Sequence, residues 1–411
     1  MKSARLIAFE TLYKIFYDDS YSNIALDKAL KNVNDDKAFI SALVYGVVER
    51  RLTLDYFINK FTQSRPKPKI MTILRLGAYQ LLFMDKVPSG AAINESVKLC
   101  KEIKQDFYSK LVNAVLHKID NDRDIPDNLS VKYSVPEHLI NMWIKQYTRN
   151  TVEEFLPAVN DRPPVFAIPN ALFLDAEELS YELTDEGIEN EIINDVCMIN
   201  SGFDLSKSKA FNNGLFYIED LSSYNCAKAL NAKSGDIVLD VCSAPGGKAF
   251  TIAGDMKNTG ELYSYDLYEH RVKLIEESKE RLGFTCIKTG VNDALKYNTE
   301  IPMADKIICD VVCSGFGIIR RKPEIRYKNL DDIKELPKIQ LDILSTSSMY
   351  LKQGGQMIYS TCTLNKKENE MVVQEFLNNN SDFSLINEKT TFPTQHGGDG
   401  FYWALLKKNE N

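Results

Sequence analysis

The stretch Ile-Val-Leu-Asp-Val-Cys-Ser-Ala-Pro-Gly-Gly-Lys at positions 237–248 decides the fold, because an apolar strand signal runs directly into a glycine-rich turn. A helical pattern begins immediately after the turn. Two glycines let a ligand approach the backbone closely, and the free amides at a helix N-terminus favour a carboxylate or a phosphate. The stretch therefore predicts a strand, a ligand-binding loop and a helix of the kind found in nucleotide-binding α/β domains.

Strand and helix signals alternate on both sides of this stretch between residues 206 and 411. The further expected elements are the strands Leu262–Asp266, Lys306–Asp310 and Gln356–Ser360 and the helices Glu269–Leu282 and Ile333–Leu351. Such alternation predicts a parallel sheet with helices on both faces, whose ligands bind at the carboxyl ends of the strands. We therefore expect a Rossmann-like α/β domain over residues 206–411.

The N-terminal part of the chain has a different pattern. Apolar residues recur at helical spacing in amphipathic runs at Arg5–Phe16, Phe39–Ile58, Ile70–Phe83 and Ala91–Ile119. These runs predict an all-α bundle over residues 1–130. Between residues 131 and 205 the signals are mixed, and we expect a small α/β connector. Its expected elements are a helix at Glu137–Tyr147, an apolar run at Val165–Ile168, a helix near Ala176–Leu183 and a strand near Glu191–Ile193.

Composition limits the classes of protein that the chain can belong to. A length of 411 residues predicts two or three domains, and a net charge of -7 argues against coating of nucleic acid by charge alone. Eight cysteines without a CxxC pair, and no secretory leader pattern, indicate free thiols in a reducing cytoplasm. No apolar run approaches the ~18–20 residues that span a bilayer, so we expect a cytoplasmic protein without a membrane partner.

Asp266 ends the expected second strand, 19 residues past Gly247, near the ~20-residue offset of a ribose-binding acid in nucleotide folds. An isolated aspartate there would more often be a turn or helix-capping residue, but its pairing with the two glycines favours a ligand. A nicotinamide dehydrogenase would need G-x-G-x-x-G, which Ser243–Lys248 lacks. A P-loop is also absent, because there is no upstream glycine and no Ser or Thr after Lys248.

Two further strand ends each carry a cysteine, Cys313 and Cys362. A thiolate is nucleophilic near neutral pH and can leave again, so it can activate a pyrimidine ring by adding to carbon 6. Buried cysteines are more often apolar filler, which is the interpretation for Cys226, Cys242, Cys286 and Cys309. A Cys–His protease is disfavoured because the histidines at 117, 138, 270 and 396 show no supporting motif, and no metal-ligand spacing is present.

Five blocks of the C-terminal half keep the order found in RNA 5-methylcytosine methyltransferases, which the chain resembles. They are Ser243–Lys248, Asp310–Gly317, Arg320–Ile325, Ser360–Thr363 and Asp399–Phe401. The N-terminal blocks Arg75–Leu82 and Phe107–Leu116 resemble the NusB-like helical domain of the bacterial RsmB type. The resemblance covers nearly the whole chain, and it implies S-adenosylmethionine as cofactor and 16S ribosomal RNA as substrate. We expect a monomer without metal.

The resemblance also implies a role for individual residues. Cys362 corresponds to the nucleophile, Cys313 to the second thiol that helps to release product, and Asp310 and Lys248 to further catalytic residues. Asp310 would hydrogen-bond the cytosine edge. The implied cofactor-binding residues are Cys242, Ser243, Ala244, Pro245, Gly246, Gly247, Lys248, Asp266, Asp293 and Asp310. Within this set, residues 242–248 would bind the amino-acid end of the cofactor, Asp266 its ribose and Asp293 its adenine.

Two positions depart from the family pattern. Val312 stands where relatives have a proline, which would fix φ and stiffen the loop. Our hypothesis is that the loop is looser and turnover slower, and an unchanged single-turnover rate in Val312→Pro would reject it. Ile168-Pro169-Asn170 lacks the arginine that relatives carry two residues before the asparagine, which predicts weaker RNA binding.

Two basic runs are candidates for contact with RNA phosphates. The first consists of Lys60, Arg65, Lys67, Lys69 and Arg75, and the second of Arg320, Arg321, Lys322, Arg326 and Lys328. A charge run is often only a solvated surface, but the second adjoins Cys313, so Arg320, Arg321 and Lys322 are the expected RNA-binding residues.

Three functions remain open: methylation of cytosine carbon 5 in 16S rRNA, a catalytically weakened RNA-binding or ribosome-assembly factor, and a disfavoured dehydrogenase.

Overall fold

The computed structural model describes residues 2–18, 22–31, 33, 35–199, 203–394 and 397–410. His396, one of the histidines considered above, lies outside the described residues. Contacts within the chain define two compact units. The first comprises Met1–Asn160 with Ile319–Lys328, and the second comprises Asp161–Ile318 with Asn329–Asn411. The chain therefore leaves the second unit after Ile318 and re-enters it at Asn329.

The first unit is built from helices, as the amphipathic runs predict. Its helices are Ala4–Tyr17 (α1), Ser22–Leu30 (α2), Lys37–Glu49 (α3), Arg51–Phe61 (α4), Pro68–Phe83 (α5), Ser89–Glu102 (α6), Ser109–Asn121 (α7), Leu129–Tyr133 (α8), Glu137–Gln146 (α9) and Arg149–Phe155 (α10). The expected run Phe39–Ile58 forms two helices, because the backbone of Arg50 leaves helical geometry between α3 and α4. Apolar faces of α1, α3, α5 and α7 bury a common core.

The second unit begins with a small antiparallel sheet. Its strands are Val165–Pro169 (β1), Asn190–Ile193 (β2), Val196–Ile199 (β3) and Phe216–Ile218 (β4), in the order β2-β3-β1-β4. Helix Ala176–Asp185 (α11) begins with a capping box formed by Asp175 and Glu178, and a short helix, Lys209–Asn212 (α12), precedes β4. The division of the chain into ranges 1–130, 131–205 and 206–411 stays a prediction.

A seven-stranded sheet forms the rest of the second unit. Its strands are Ile237–Asp240 (β5), Glu261–Asp266 (β6), Ile287–Val291 (β7), Ala304–Asp310 (β8), Leu351–Thr361 (β9), Phe383–Thr391 (β10) and Phe401–Lys408 (β11), in the order β10-β11-β9-β8-β5-β6-β7. The accompanying helices are Leu221–Ala229 (α13), Gly247–Asp255 (α14), Glu269–Leu282 (α15), Leu336–Ser348 (α16) and Glu370–Asn379 (α17). Successive side chains of β5, β8 and β9 enter two separate core clusters, so apolar residues cover both faces of the sheet, as predicted.

The prediction of an all-parallel sheet was wrong at one edge. Strands β9, β8, β5, β6 and β7 are parallel, whereas β11 pairs antiparallel with both β9 and β10. The segment between Thr391 and Phe401 is too short for the crossover of about a dozen residues that parallel neighbours need. Helix α16 also begins later than expected, because Pro337 occupies its first turn, where a missing amide hydrogen costs nothing. The Rossmann-like fold class is confirmed, with a mixed sheet.

Candidate active site

The loop after β5 brings backbone amides to the edge of the sheet where the parallel strands end. Gly246 has a φ of 110°, which favours glycine, and a Cβ there would lie 2.5 Å from the Phe250 ring. Helix α14 starts at the next residue. Ser243 donates its N–H to Tyr265 O of the neighbouring strand at 2.8 Å, which fixes the loop against β6. The glycine-rich turn therefore has the geometry that the sequence predicted.

Two buried polar groups in this loop have no hydrogen-bond partner among the described residues. They are the carboxylate of Asp240, which is 1% exposed, and the hydroxyl of Ser243. Both line a cavity of about 230 Å³ that also contacts Gly247, Lys248 and Asp310. Burial raises the pKa of Asp240 to about 7. Because buried polar groups are nearly always paired, this cavity fits a polar ligand, and a cationic group would suit the carboxylate.

Asp240 was not among the predicted site residues. Its signal was its position at the carboxyl end of β5, where ligands of such sheets bind. An unpaired buried carboxylate is visible only once the tertiary structure is known.

Asp266 lies at the end of β6 and is 2% exposed. Its carboxylate accepts hydrogen bonds from the N–H groups of Ala244 and Tyr268, each at 3.3 Å, and pairs with Arg271 at 3.1 Å. The aspartate thus fixes the glycine-rich loop through Ala244, as the turn-residue interpretation expects. It also lies beside residues 242–248. A carboxylate has about four acceptor sites, so these contacts leave room for a ligand hydroxyl.

Asp293 lies two residues beyond β7, the strand next to β6. Its side chain accepts from Leu295 N–H at 3.1 Å and pairs with Lys296 at 2.9 Å. The hydrogen bond from Lys296 lowers the pKa of Asp293. The ends of β6 and β7 are neighbours, since Asn292 N–H donates to Asp266 O at 3.1 Å.

A charged pair, Lys248 and Asp310, lines the same cavity as the glycine-rich loop. Lys248 Nζ donates to Asp310 Oδ2 at 2.8 Å, and Ser360 Oγ donates to Asp310 Oδ1 at 2.9 Å. Burial alone would lower the pKa of Lys248, but the carboxylates of Asp310 and Glu219 raise its pKa by more, so the net shift is upward. The lysine is therefore a permanent ammonium at neutral pH. Its Nζ also lies 5.2 Å from the centre of the Phe401 ring.

The two cysteines at the strand ends meet. Their Sγ atoms are 3.3 Å apart, close enough for a thiol hydrogen bond. Contact with the Cys362 thiol, together with burial, raises the pKa of Cys313 well above its ordinary value. Cys313 therefore holds its proton at neutral pH. Cys226, Cys286 and Cys309 are buried, as expected for apolar filler.

Backbone contacts hold the segment after Cys313 against the segment after β9. Gly317 N–H donates to Cys362 O at 3.0 Å, and Gly400 N–H donates to Gly317 O at 3.0 Å. A Cβ on Gly317 would lie 1.8 Å from Gly400 O, so no larger residue fits. The block Asp399–Phe401 is thus adjacent to the segment that follows Cys313.

The basic residues differ in their surroundings. Arg320 is buried, Arg321 is half-buried and Lys322 is exposed, and all three belong to the first unit. The expectation of phosphate contact is wrong for Arg326, which is fully buried and donates to Glu49 O, Ser134 O, Val159 O, Ile319 O and Asn160 Oδ1. It is also wrong for Arg75, because this side chain is 1% exposed and forms two bonds to Asp55.

The two departures from the family pattern have distinct environments. Val312 is 55% exposed, and its carbonyl accepts from Gln340 Nε2 at 2.9 Å, which restrains the loop without a proline. Ile168 is buried within β1. Asn170 is also buried and donates to Gly214 O and Leu282 O, each at 2.8 Å. The effects of both departures on turnover and RNA affinity stay predictions.

The described ranges contain neither a candidate membrane span nor a cluster of metal-binding side chains. No helix there combines the length and apolar character that a bilayer crossing needs. Those same residues contain no group of three or more His, Cys, Asp and Glu side chains that could hold a metal ion.

Known proteins resemble this chain in both its N-terminal and its C-terminal part. The family model described as "16S rRNA methyltransferase RsmB/F" matches residues 227–407, and the model of the NusB family matches residues 2–121. The chain is 36% identical to the "Probable ribosomal RNA small subunit methyltransferase B" of Bacillus subtilis (strain 168), over 99% of each protein. It is 30% identical to the protein of the same name from Synechocystis sp. (strain PCC 6803), over 99% of this chain and all of that one.

A solved structure extends the likeness to the whole fold. The crystal structure of PH0851 superimposes with a TM-score of 0.82 at 26% identity, and the match covers 99% of each chain. The helical domain, the mixed sheet and the loop of residues 240–248 are thus accounted for by a single set of relatives. This chain belongs to the RsmB/F family of 16S rRNA methyltransferases.

Proposed function

We propose that the protein transfers the methyl group of S-adenosylmethionine to carbon 5 of a cytosine in 16S rRNA, with Cys362 as a covalent nucleophile. The observation that carries this proposal is the 3.3 Å approach of two thiols at the ends of β8 and β9. The charged pair Lys248–Asp310 and the unpaired groups of the glycine-rich loop lie at the same edge of the sheet. Thiol chemistry next to a ligand cavity suits methylation of a pyrimidine ring.

Carbon 5 of cytosine is too weak a nucleophile to accept a methyl group directly. Addition of the Cys362 thiolate to carbon 6 makes the ring electron-rich at carbon 5. Carbon 5 would then bond to the methyl carbon while the bond between that carbon and the sulfonium sulfur breaks, and the sulfur would keep the electron pair as a neutral thioether. The proton on carbon 5 must leave afterwards, so that the bond between sulfur and carbon 6 can break and Cys362 departs as a thiolate.

Asp310 and Lys248 support the first step of the reaction, the attack of Cys362 on carbon 6. The Asp310 carboxylate is held by Lys248 and Ser360 and is 28% exposed, so it keeps acceptor capacity for the edge of the base. An acceptor there stabilises the imino or protonated ring that develops as Cys362 attacks. Lys248 fixes the orientation of the carboxylate through its hydrogen bond to Asp310 Oδ2 at 2.8 Å.

Cys313 supports the last step of the reaction, the release of the methylated base. Its sulfur lies next to that of Cys362 and carries a proton at neutral pH. Cys313 must first pass this proton to solvent, and its raised pKa then makes the thiolate a strong base. We assign to Cys313 the removal of the proton from carbon 5, which allows release of the methylated base. Loss of this thiol should leave the RNA attached to Cys362.

The residues around the glycine-rich loop fit S-adenosylmethionine. When bound, the cofactor supplies a methyl group attached to a positively charged sulfur. The unpaired carboxylate of Asp240 suits its ammonium group, and the Ser243 hydroxyl and the N-terminal amides of α14 suit its carboxylate. We propose that Asp266 holds the ribose and Asp293 the adenine. The other residues that we propose to bind the cofactor are Cys242, Ala244, Pro245, Gly246, Gly247, Lys248 and Asp310.

We further propose that the helical unit and the segment containing Arg320, Arg321 and Lys322 contact the RNA. Exposure supports Lys322 most strongly among these three. We also propose that the protein acts as a monomer in the cytoplasm, where ribosomal RNA is available. The relatives described above carry names that refer to ribosomal RNA of the small subunit, which supports this substrate.

The proposal is tested by transfer of labelled methyl to unmodified 16S rRNA, followed by nucleoside analysis. The wild-type chain should place label in 5-methylcytosine, and Cys362→Ala should lower the single-turnover rate by at least about 10³-fold. Cys286→Ala, a buried cysteine outside the site, is the matched control and should retain the wild-type rate. RNA binding without any transfer by the wild-type chain would instead favour the assembly-factor function.

A further inference from the structure

Two consecutive residues, Glu368 and Asn369, lie between β9 and α17, and both are fully buried. The resemblance and the proposed mechanism assign neither of them a role. Their side-chain bonds lead to the segments around the two cysteines. A buried carboxylate is costly unless its acceptor sites are filled, so the identity of its partners indicates what it organises.

Glu368 organises the backbone around Cys313. Its carboxylate accepts from Ser314 N–H at 2.8 Å and from Ser314 Oγ at 2.6 Å. Gln340 of α16 donates through the same Nε2 both to Glu368 at 3.1 Å and to Val312 O at 2.9 Å. The residues immediately before and after Cys313 are therefore tied to one carboxylate–amide pair.

Asn369 organises the backbone around Cys362 in the same manner. Thr361 Oγ1 donates to Asn369 Oδ1 at 2.5 Å, and Asn369 Nδ2 donates to Thr363 O at 2.9 Å. The residues on either side of Cys362 are thus bound to a single amide side chain. Thr361, Thr363 and Asn369 are all fully buried, so water does not compete for these bonds.

One contact joins the two halves of this network, and two others hold Glu368 in place. Ser314 Oγ lies 2.7 Å from Thr363 Oγ1, and Asn365 Nδ2 donates to Glu368 Oε1 at 2.9 Å. Tyr359 of β9 donates its hydroxyl to Glu368 O at 2.5 Å, which anchors the network to the sheet. Every member named here belongs to the second unit.

We propose that Glu368 and Asn369 are positioning residues that set the separation of the Cys313 and Cys362 thiols, Glu368 through Val312 and Ser314 and Asn369 through Thr361 and Thr363. The inference rests on the proposed function for its consequence in catalysis. Misplacement of reacting groups by about 1 Å can cost about 10²-fold in rate. Glu368→Gln keeps the shape of the side chain but turns an oxygen that accepts from the Ser314 amide into a donor or a weaker acceptor.

The experiment measures two quantities on the full chain. The first is the rate at which diamide oxidises Cys313 and Cys362 to a disulfide, each thiol giving up one proton and one electron while diamide becomes the hydrazine. Peptide mapping identifies the pair. The second is the single-turnover rate of methyl transfer at saturating S-adenosylmethionine and RNA. Glu375→Gln, on the exposed side of α17, is the matched control.

Glu368→Gln should slow both disulfide formation and methyl transfer by about 10–100-fold, with unchanged affinity for S-adenosylmethionine, while Glu375→Gln changes neither. Wild-type disulfide formation in Glu368→Gln would overturn the proposal, whatever happens to methyl transfer. If Glu368→Gln fails to fold, Ser314→Ala tests the proposal instead, because it removes the hydrogen bonds of the Ser314 hydroxyl and keeps the Glu368 carboxylate. Ser314→Ala should slow both rates by several-fold, and wild-type rates would overturn the proposal.

These outcomes separate the inference from the proposed function. Retained methyl transfer in Cys362→Ala would defeat the proposed mechanism, but the disulfide measurement would still report whether Glu368 sets the thiol separation. Conversely, a Cys362-dependent enzyme with an unperturbed disulfide rate in Glu368→Gln would keep the mechanism and reject the positioning role.

Discussion

Replacing Asp240 with asparagine should make the protein more stable and a poorer enzyme. The carboxylate is buried without a partner, and burial raises its pKa from the ordinary 3.8 to about 7. At about 1.4 kcal/mol for each pH unit, keeping this group ionised above pH 7 costs roughly 4 kcal/mol of folding free energy. Asparagine carries no charge, so Asp240→Asn removes this cost.

The sign of the pH dependence follows from the direction of the shift. Because the pKa is higher in the folded state, this aspartate disfavours folding progressively as pH rises from its unfolded pKa to its folded one. The gain in unfolding free energy for Asp240→Asn should therefore be roughly 4 kcal/mol at pH 8 and roughly 2 kcal/mol at pH 5. Affinity for S-adenosylmethionine should fall by at least about tenfold, since the ammonium group loses its carboxylate.

Urea denaturation at the two pH values measures the stabilities, and isothermal titration calorimetry measures cofactor affinity. Asp342→Asn, an exposed position on α16, is the matched control and should alter neither. A destabilised Asp240→Asn chain at pH 8 would refute the claim that the buried carboxylate has no partner. An Asp240→Asn chain that binds S-adenosylmethionine as tightly as wild type would refute the claim that Asp240 binds the cofactor.

Three further predictions concern the rest of the site. Cys313→Ala should retain RNA covalently on Cys362, because the proton on carbon 5 is not removed; denaturing gels should show the adduct, and its absence would reject the role of Cys313. Gly317→Ala places a Cβ 1.8 Å from Gly400 O and should lower the free energy of unfolding by about 3 kcal/mol, whereas Gly90→Ala, in open space, should cost less than 1 kcal/mol. Lys322→Glu should weaken RNA binding several-fold and lower the salt slope by about 1, and an unchanged slope in filter binding would exclude a phosphate contact.

The sequence was sufficient to predict the core of the second unit. Strand β5 and helix α15 have the predicted bounds, because an apolar run before a glycine-rich turn and a helical repeat are local signals. The meeting of Cys313 and Cys362 followed from topology, since parallel neighbours end at the same edge. The position of the site was thus predictable from the order of the strand ends.

Other features depend on contacts between distant residues. Arg326 resembles a surface cation in sequence, yet backbone carbonyls from separate segments surround it. Glu368 and Asn369 stand in a polar run whose burial no local pattern indicates. The antiparallel edge strands β10 and β11 were also missed, because the pairing of a strand depends on connection length as much as on its own residues.

The most direct test of the central claim is the identity of the residue that bonds to RNA. A 16S rRNA fragment containing 5-fluorocytidine should trap the adduct, because fluorine on carbon 5 cannot leave as a proton does. After incubation with S-adenosylmethionine, nuclease digestion and mass spectrometry of tryptic peptides, we predict a methylated fluorocytidine on Cys362. An adduct on Cys313, or no adduct despite methylation of unmodified RNA, would contradict it.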